Sequence, residues 1–71
     1  MKLSEFVKNY RKINLLTQKE LALRLDCNNV QVSKIESGRP ISLTTMRKLS
    51  QVMDIDPELI YMMQKEDRIW F

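Results

Sequence analysis

One glycine and two prolines in 71 residues leave this chain almost without the turn chemistry that a many-stranded sheet requires. Helices, which end on caps rather than in tight glycine turns, are what remains. The length permits one hydrophobic core and not two. Apolar residues at 44% and charged residues at 30% are the balance of a folded domain, too hydrophobic for disorder. A single small all-α domain is therefore expected.

Apolar residues recur at helical spacing along most of the chain. Leu3, Phe6, Val7, Tyr10 and Ile13 mark a first helix, with Asn14 as a left-handed cap at its end. Thr17 and Glu20 have the spacing of a capping box, and the second helix that starts there, over about residues 17–25, carries Leu21, Ala22 and Leu25 inward. Asp26 and Cys27 interrupt the pattern. Asn28 with Gln31 repeats the capping-box spacing and opens a third helix over about residues 28–37, whose buried stripe is Val32 and Ile35. Gly38 stops it, and Pro40 prevents continuation. Ser42 caps a fourth helix with Leu43, Met46, Leu49 and Met53 inward. Asp56-Pro57-Glu58 supplies a cap, a preset φ and a favourable charge for a fifth, with Leu59, Ile60 and Met63 as its apolar positions. Met46, Met53, Met62 and Met63 read as core packing rather than as a ligand groove.

Several function classes are excluded by composition. With no histidine and Cys27 as the one cysteine, neither a common zinc site nor an intramolecular disulfide can form, so no metal is expected and a reducing, cytoplasmic setting fits. No apolar run approaches a membrane span or a signal peptide. There is no glycine-rich phosphate loop and no evident carboxylate pair, so neither an enzyme nor a cofactor nor a small-molecule ligand is expected. Charge, in contrast, is informative. Residues 1–53 carry ten Lys/Arg against four Asp/Glu, and residues 54–71 two against five. A basic body with an acidic end points to a polyanion as the partner of the body.

The functional signal lies in Thr17 to Gly38, TQKELALRLDCNNVQVSKIESG. Two short helices joined by a three- to four-residue turn, with the small Ala22 at the point of closest approach, meet the requirement of a helix-turn-helix. Packing of Leu21, Leu25, Val32 and Ile35 turns the other side of the second of these helices outward. That side reads Asn28, Asn29, Val30, Gln31, Ser33, Lys34 and Ser37. Asn can pair bidentately with adenine, Val can touch a thymine methyl, Ser can donate or accept, and Lys can reach guanine or phosphate. No acid precedes Glu36 on this face.

TQKELALRL, the turn and VSKIESG resemble the lambda-repressor-like helix-turn-helix family, over roughly residues 3–63, and the size is similar to that of its phage Cro-type members. The resemblance implies that Gln18 and the recognition-helix positions Asn28, Asn29, Val30, Ser33 and Lys34 face DNA, and that the first helix and the loop before the fourth contact phosphates. In that loop Arg39 is the expected contact, and Lys19, Gln31, Ser42 and Thr44 join Gln18 and Arg39 as candidate phosphate ligands. Ser42 and Thr44 lie at a helix start, whose amides could bind a phosphate or simply be capped. The resemblance also implies a structural pair between Arg11 and Glu36, compatible with a phosphate contact by the outer edge of Arg11. Asp26 and Asp54 stand where the family often has glycine, at a cost on the order of 1 kcal/mol if left-handed.

Other features have more than one reading. Lys2, Lys8, Lys12, Lys19, Arg24, Arg47 and Lys48 are each as compatible with solvation as with DNA, Lys19 being nearest a proposed phosphate site. Cys27 precedes a helix start that could lower its pKa, but a small semi-buried turn residue is the simpler reading. Residues 1–66 are expected to form the DNA-binding domain, and residues 67–71 an apolar tail. Ile69, Trp70 and Phe71 should not be left in water, so they either fold back or pack against a second subunit, with Tyr61 near the seam of a two-fold homodimer. The reading is a sequence-specific repressor of double-stranded operator DNA in a bacterial cytoplasm, the short chain favouring a Cro-type role. A DNA-binding antitoxin or plasmid regulator, and a protein-interaction module without DNA binding, are the alternatives.

Overall fold

The computed structural model describes residues 1–69, with side chains to residue 67. Among them are five helices: α1 (Leu3–Ile13), α2 (Gln18–Arg24), α3 (Asn29–Glu36), α4 (Leu43–Met53) and α5 (Pro57–Ile69). α1 packs against α3 and α5, α2 against α3, and α4 against α5. One core joins them. It consists of Leu3 and Val7 from α1, Leu21, Ala22 and Leu25, Val32 and Ile35 from α3, Met46, Leu49 and Met53 from α4, and Ile60 and Met63 from α5. No helix among the described residues is long and apolar enough to cross a membrane.

The caps follow from the sequence. Thr17 and Glu20 form the full capping box, with Thr17 Oγ1 accepting from Glu20 N–H at 3.1 Å and Glu20 Oε1 accepting from Thr17 N–H at 2.9 Å. Asn28 Oδ1 accepts from Gln31 N–H at 2.9 Å, Ser42 Oγ from Thr45 N–H at 3.2 Å, and Asp56 Oδ1 from Glu58 N–H at 2.9 Å. At Asn28 the box is half made, since no return bond from the Gln31 side chain accompanies the cap.

The C-terminal ends of the helices depart from expectation at one place. α1, α2 and α3 each close with the paired backbone bonds of a Schellman motif, and each motif needs one left-handed residue. At the end of α3 that residue is Gly38, φ +86, with Gly38 N–H to Ile35 O and Arg39 N–H to Lys34 O, both 3.1 Å. At the end of α2 it is Asp26, and α4 ends on the left-handed Asp54. For α1, Asn14 was the expected left-handed residue, but its φ is −89 and Leu15 takes the position at φ +55. The motif fixes the geometry by counting from the helix end, and it overrides the residue preference.

Four apolar side chains expected inside lie outside. Ile13, Leu43, Leu59 and Met62 are exposed, at 80, 61, 46 and 58%. Ile13, Leu43 and Leu59 occupy the first or last turn of their helices, where the helix projects beyond the small core. Met62 precedes the buried Met63 and so points away from it. α5 continues through Ile69 and so includes Asp67.

Candidate nucleic-acid interface

α3 is held from behind and open in front. Val32 and Ile35 fix one side in the core, while Asn29, Val30, Ser33 and Lys34 are exposed. Positions i, i+1, i+4 and i+5 share a helix face, so these four form one outward surface. Asn28 is also exposed, but its Oδ1 accepts the capping bond, so its side chain is oriented by the helix end before it can meet a base. Asn29, one position into the helix, has no capping duty. Ser37 turns its Oγ–H back onto the Lys34 carbonyl at 2.9 Å.

Two shallow concavities flank this face. The larger, about 670 Å³, is lined by Cys27, Asn28, Gln31, Lys34, Arg39, Pro40, Ser42 and Thr45. The smaller, about 390 Å³, is lined by Lys8, Arg11, Lys12, Gln18, Ser33, Glu36 and Ser37. Cations therefore line both: Lys34 and Arg39 on one side, Lys8, Arg11 and Lys12 on the other. Among the described residues Glu36 is the one acid in either lining.

Glu36 is neutralised where it stands. Arg11 donates Nε–H to Oε2 at 2.8 Å and Nη2–H to Oε1 at 3.3 Å, and Gln18 donates Nε2–H to Oε1 at 3.2 Å. Arg11 also donates Nη1–H to the Leu16 carbonyl at 3.1 Å. The two side chains are 18 and 4% exposed, and the fork-on-fork geometry is the one that best compensates the burial of a charge pair. Its hydrogen bond to Glu36, ahead of the opposing effect of burial and the added attraction of the charge, pushes the Arg11 pKa above its ordinary value. The end of α3 is thus tied to α1 and to the start of α2.

The sequence-derived phosphate candidates fall in different places. Gln31, Arg39 and Ser42 meet at the larger concavity, and Gln18 lies at the smaller one with one amide N–H committed to Glu36. Thr44 is exposed on the first turn of α4, and Lys19 is exposed on α2 outside both linings. Lys8, Lys12 and Thr45 join the site without having been singled out for it. For the two lysines the signal was present in the sequence, since Lys8 lies at i, i+3 spacing from Arg11 and i, i+4 from Lys12, and all three cations reach the smaller concavity. Thr45 carries none beyond its bond with the Ser42 hydroxyl at 3.1 Å.

Cys27 is half-buried at the edge of the larger concavity, and burial pushes its thiol pKa up, against the attraction of Lys48 and with the added repulsion of Asp26. A neutral thiol at pH 7 is a weak nucleophile. Lys48 instead donates to the carbonyl of Asp26 at 3.3 Å, bracing the turn between α2 and α3.

Away from this face, α5 exposes Leu59, Tyr61 and Met62, and Lys65 Nζ lies 4.9 Å from the Tyr61 ring centroid. Met1, Leu59, Met62, Met63 and Glu66 line a third hollow of about 230 Å³, across which the N-terminal ammonium meets Glu66 at 2.6 Å. The expected packing of Ile69, Trp70 and Phe71 lies outside the described side chains.

A family model described as helix-turn-helix matches residues 7–60, well over half of the chain and all of α2, the turn, α3 and α4. No curated protein and no solved structure matches it.

Proposed function

The chain belongs to the lambda-repressor-like helix-turn-helix family and is a DNA-binding regulator, and from that premise we propose that it is a sequence-specific repressor of the phage Cro type. α3 enters the major groove of an operator, where Asn29, Val30, Ser33 and Lys34 meet base edges, with Asn28 at the margin. Arg39, Gln31, Ser42 and Thr44 on one flank, and Gln18, Lys19 and the outer edge of Arg11 on the other, engage the phosphates. Lys8 and Lys12 extend that second flank.

The observation that carries this reading is the combination on one face of four uncommitted side chains of base-reading chemistry between two linings of cations. A helix of about 10–12 Å diameter fits a major groove about 12 Å wide. Phosphates on either side of such a groove would meet the flanking cations, which give affinity without sequence information, while the central face gives preference.

A Cro-type regulator binds pseudo-palindromic DNA as a two-fold dimer, and the exposed Leu59, Tyr61 and Met62 of α5, with Ile69, Trp70 and Phe71 beyond them, are the proposed contact. Selection of bound duplexes from random DNA at fixed salt, followed by footprinting, tests both parts. The reading expects an enriched motif of two inverted half-sites with centres about 34–36 Å, or one helical turn, apart. Enrichment of no motif would overturn sequence-specific repression, and a single unpaired half-site would overturn the dimer.

A further inference from the structure

Two polar side chains on the inward side of α5 reach elements that have no sequence signal linking them to it. Asp67 accepts from the Ser4 backbone N–H at 3.0 Å through Oδ2 and from the Ser4 hydroxyl at 2.6 Å through Oδ1. Lys2, the residue ahead of α1, gives that helix no side-chain cap. A carboxylate from 63 residues away supplies one, satisfying a first-turn donor and placing negative charge at the positive helix end.

The same carboxylate lies against the turn that ends α3. A Cβ on Gly38 would stand 3.5 Å from Asp67 Oδ1 and 3.8 Å from its Cγ, which is van der Waals contact. One turn earlier on α5 the buried Gln64 donates Nε2–H to the Ile41 carbonyl in a long bond of 3.5 Å. Residues 38–41 therefore run along the side of α5, with Asp67 at one end and Gln64 at the other. Arg39 is exposed between them.

We propose that Asp67 is a positioning residue for DNA binding, fixing the start of α1 against the Gly38 turn and so holding Arg39 at the phosphate assigned to it. The inference rests on that assignment of Arg39. A contact residue carried on a loop is only as well placed as the groups packed behind it. Gly38 sits at φ +86 with two backbone bonds to α3, and the Asp67 side chain is the nearest group on the side where a Cβ would project. Without that backing Arg39 leaves its phosphate for part of the time even on DNA, a partial loss of the contact equivalent to roughly three- to tenfold in affinity.

The test compares the full chain with Asp67→Ala, Arg39→Ala and the double variant, on a selected duplex and an unrelated one across a salt series. Asp67→Ala is expected to weaken both duplexes by the same roughly three- to tenfold. Base preference stays intact, and the slope of log affinity against log salt falls toward that of Arg39→Ala, by up to about 0.9. In the Arg39→Ala background, Asp67→Ala adds no further loss. Asp67→Asn, whose amide can still bond Ser4, restores affinity and slope.

Unchanged affinity for Asp67→Ala, or losses that add in the double variant, would overturn the proposal. Should Asp67→Ala not fold, Ser4→Ala removes the shorter of the two bonds and is read by the same criteria. If Arg39→Ala itself leaves the salt slope unchanged, the assignment of Arg39 fails and takes the inference with it. A lowered slope for Arg39→Ala without one for Asp67→Ala overturns the inference alone.

Discussion

Glu36 shows how much of this domain depends on single side chains. Its carboxylate is almost wholly buried and receives three donors, two from Arg11 and one from Gln18. Arg11→Ala leaves a buried charge with only the amide of Gln18, and is expected to cost about 3 kcal/mol, the low end for breaking a buried pair. Urea unfolding read by far-UV circular dichroism gives the value directly. Leu15 is the opposite case. It is 89% exposed and left-handed, so its side chain contributes little packing to set against the strain of its backbone. Leu15→Gly is expected to stabilise the domain by about 1 kcal/mol, which a thermal melt would show as a rise of about 4–8 °C.

Glu20 adds a pH dependence at the same scale. The backbone N–H of Thr17, followed by its hydroxyl and by Arg24, holds the Glu20 pKa below the usual glutamate value. A group with a lowered folded pKa stabilises above its unfolded pKa, about 4.3, and loses that contribution as pH falls through the folded value. Glu20→Gln, which removes the titrating charge, should therefore lower stability at pH 7, and its difference from wild type should narrow as pH drops below about 4, in melts recorded across that range. A constant difference down to about pH 2 would show that the charge of Glu20 contributes nothing to the capping box.

The elements of the fold were legible where local chemistry dictates them. Thr17, Asn28, Ser42 and Asp56 each have a side-chain oxygen and the spacing of a cap, and each caps a helix. Val32, Ile35, Leu49 and Ile60 could be assigned to the core because period and position agree in the middle of a helix. The same periodicity fails at helix ends, where Ile13, Leu43 and Leu59 continue a stripe past the core it faces. Tertiary bonds such as Ser4 to Asp67 or Lys48 to Asp26 were illegible, since nothing local distinguishes a polar side chain that reaches across the molecule. Within the candidate site the outward face of α3 could be read from which residues the core takes, and the cap at Asn28 from its spacing to Gln31, whereas the Gln18 bond to Glu36 had no local signal. At this scale Ile35→Ala is expected to cost about 2–5 kcal/mol, a large share of the roughly 4–10 kcal/mol typical of a chain this long. It should abolish DNA binding by unfolding α3's support, with circular dichroism and binding lost together.

For the whole molecule, the charge asymmetry of the sequence takes spatial form. Lys8, Arg11, Lys12, Lys34 and Arg39 stand around α3, and Arg11 cancels the single acid among them. An anionic rod approaching this face meets Arg39 on one flank and Lys8, Arg11 and Lys12 on the other, with Asn29, Val30, Ser33 and Lys34 between them. The central claim is that these two sets act differently, the flanks on any DNA and the middle on a particular one. The most direct test measures the affinity of wild type, Asn29→Ala and Arg39→Ala for a selected duplex and an unrelated one at several salt concentrations. Asn29→Ala is expected to lose about 1–3 kcal/mol on the selected duplex and little on the other, with its salt slope unchanged, while Arg39→Ala weakens both alike and lowers the slope by about 0.9. Equal losses on both duplexes for both variants would contradict the account, because they would leave α3 with no face that reads sequence.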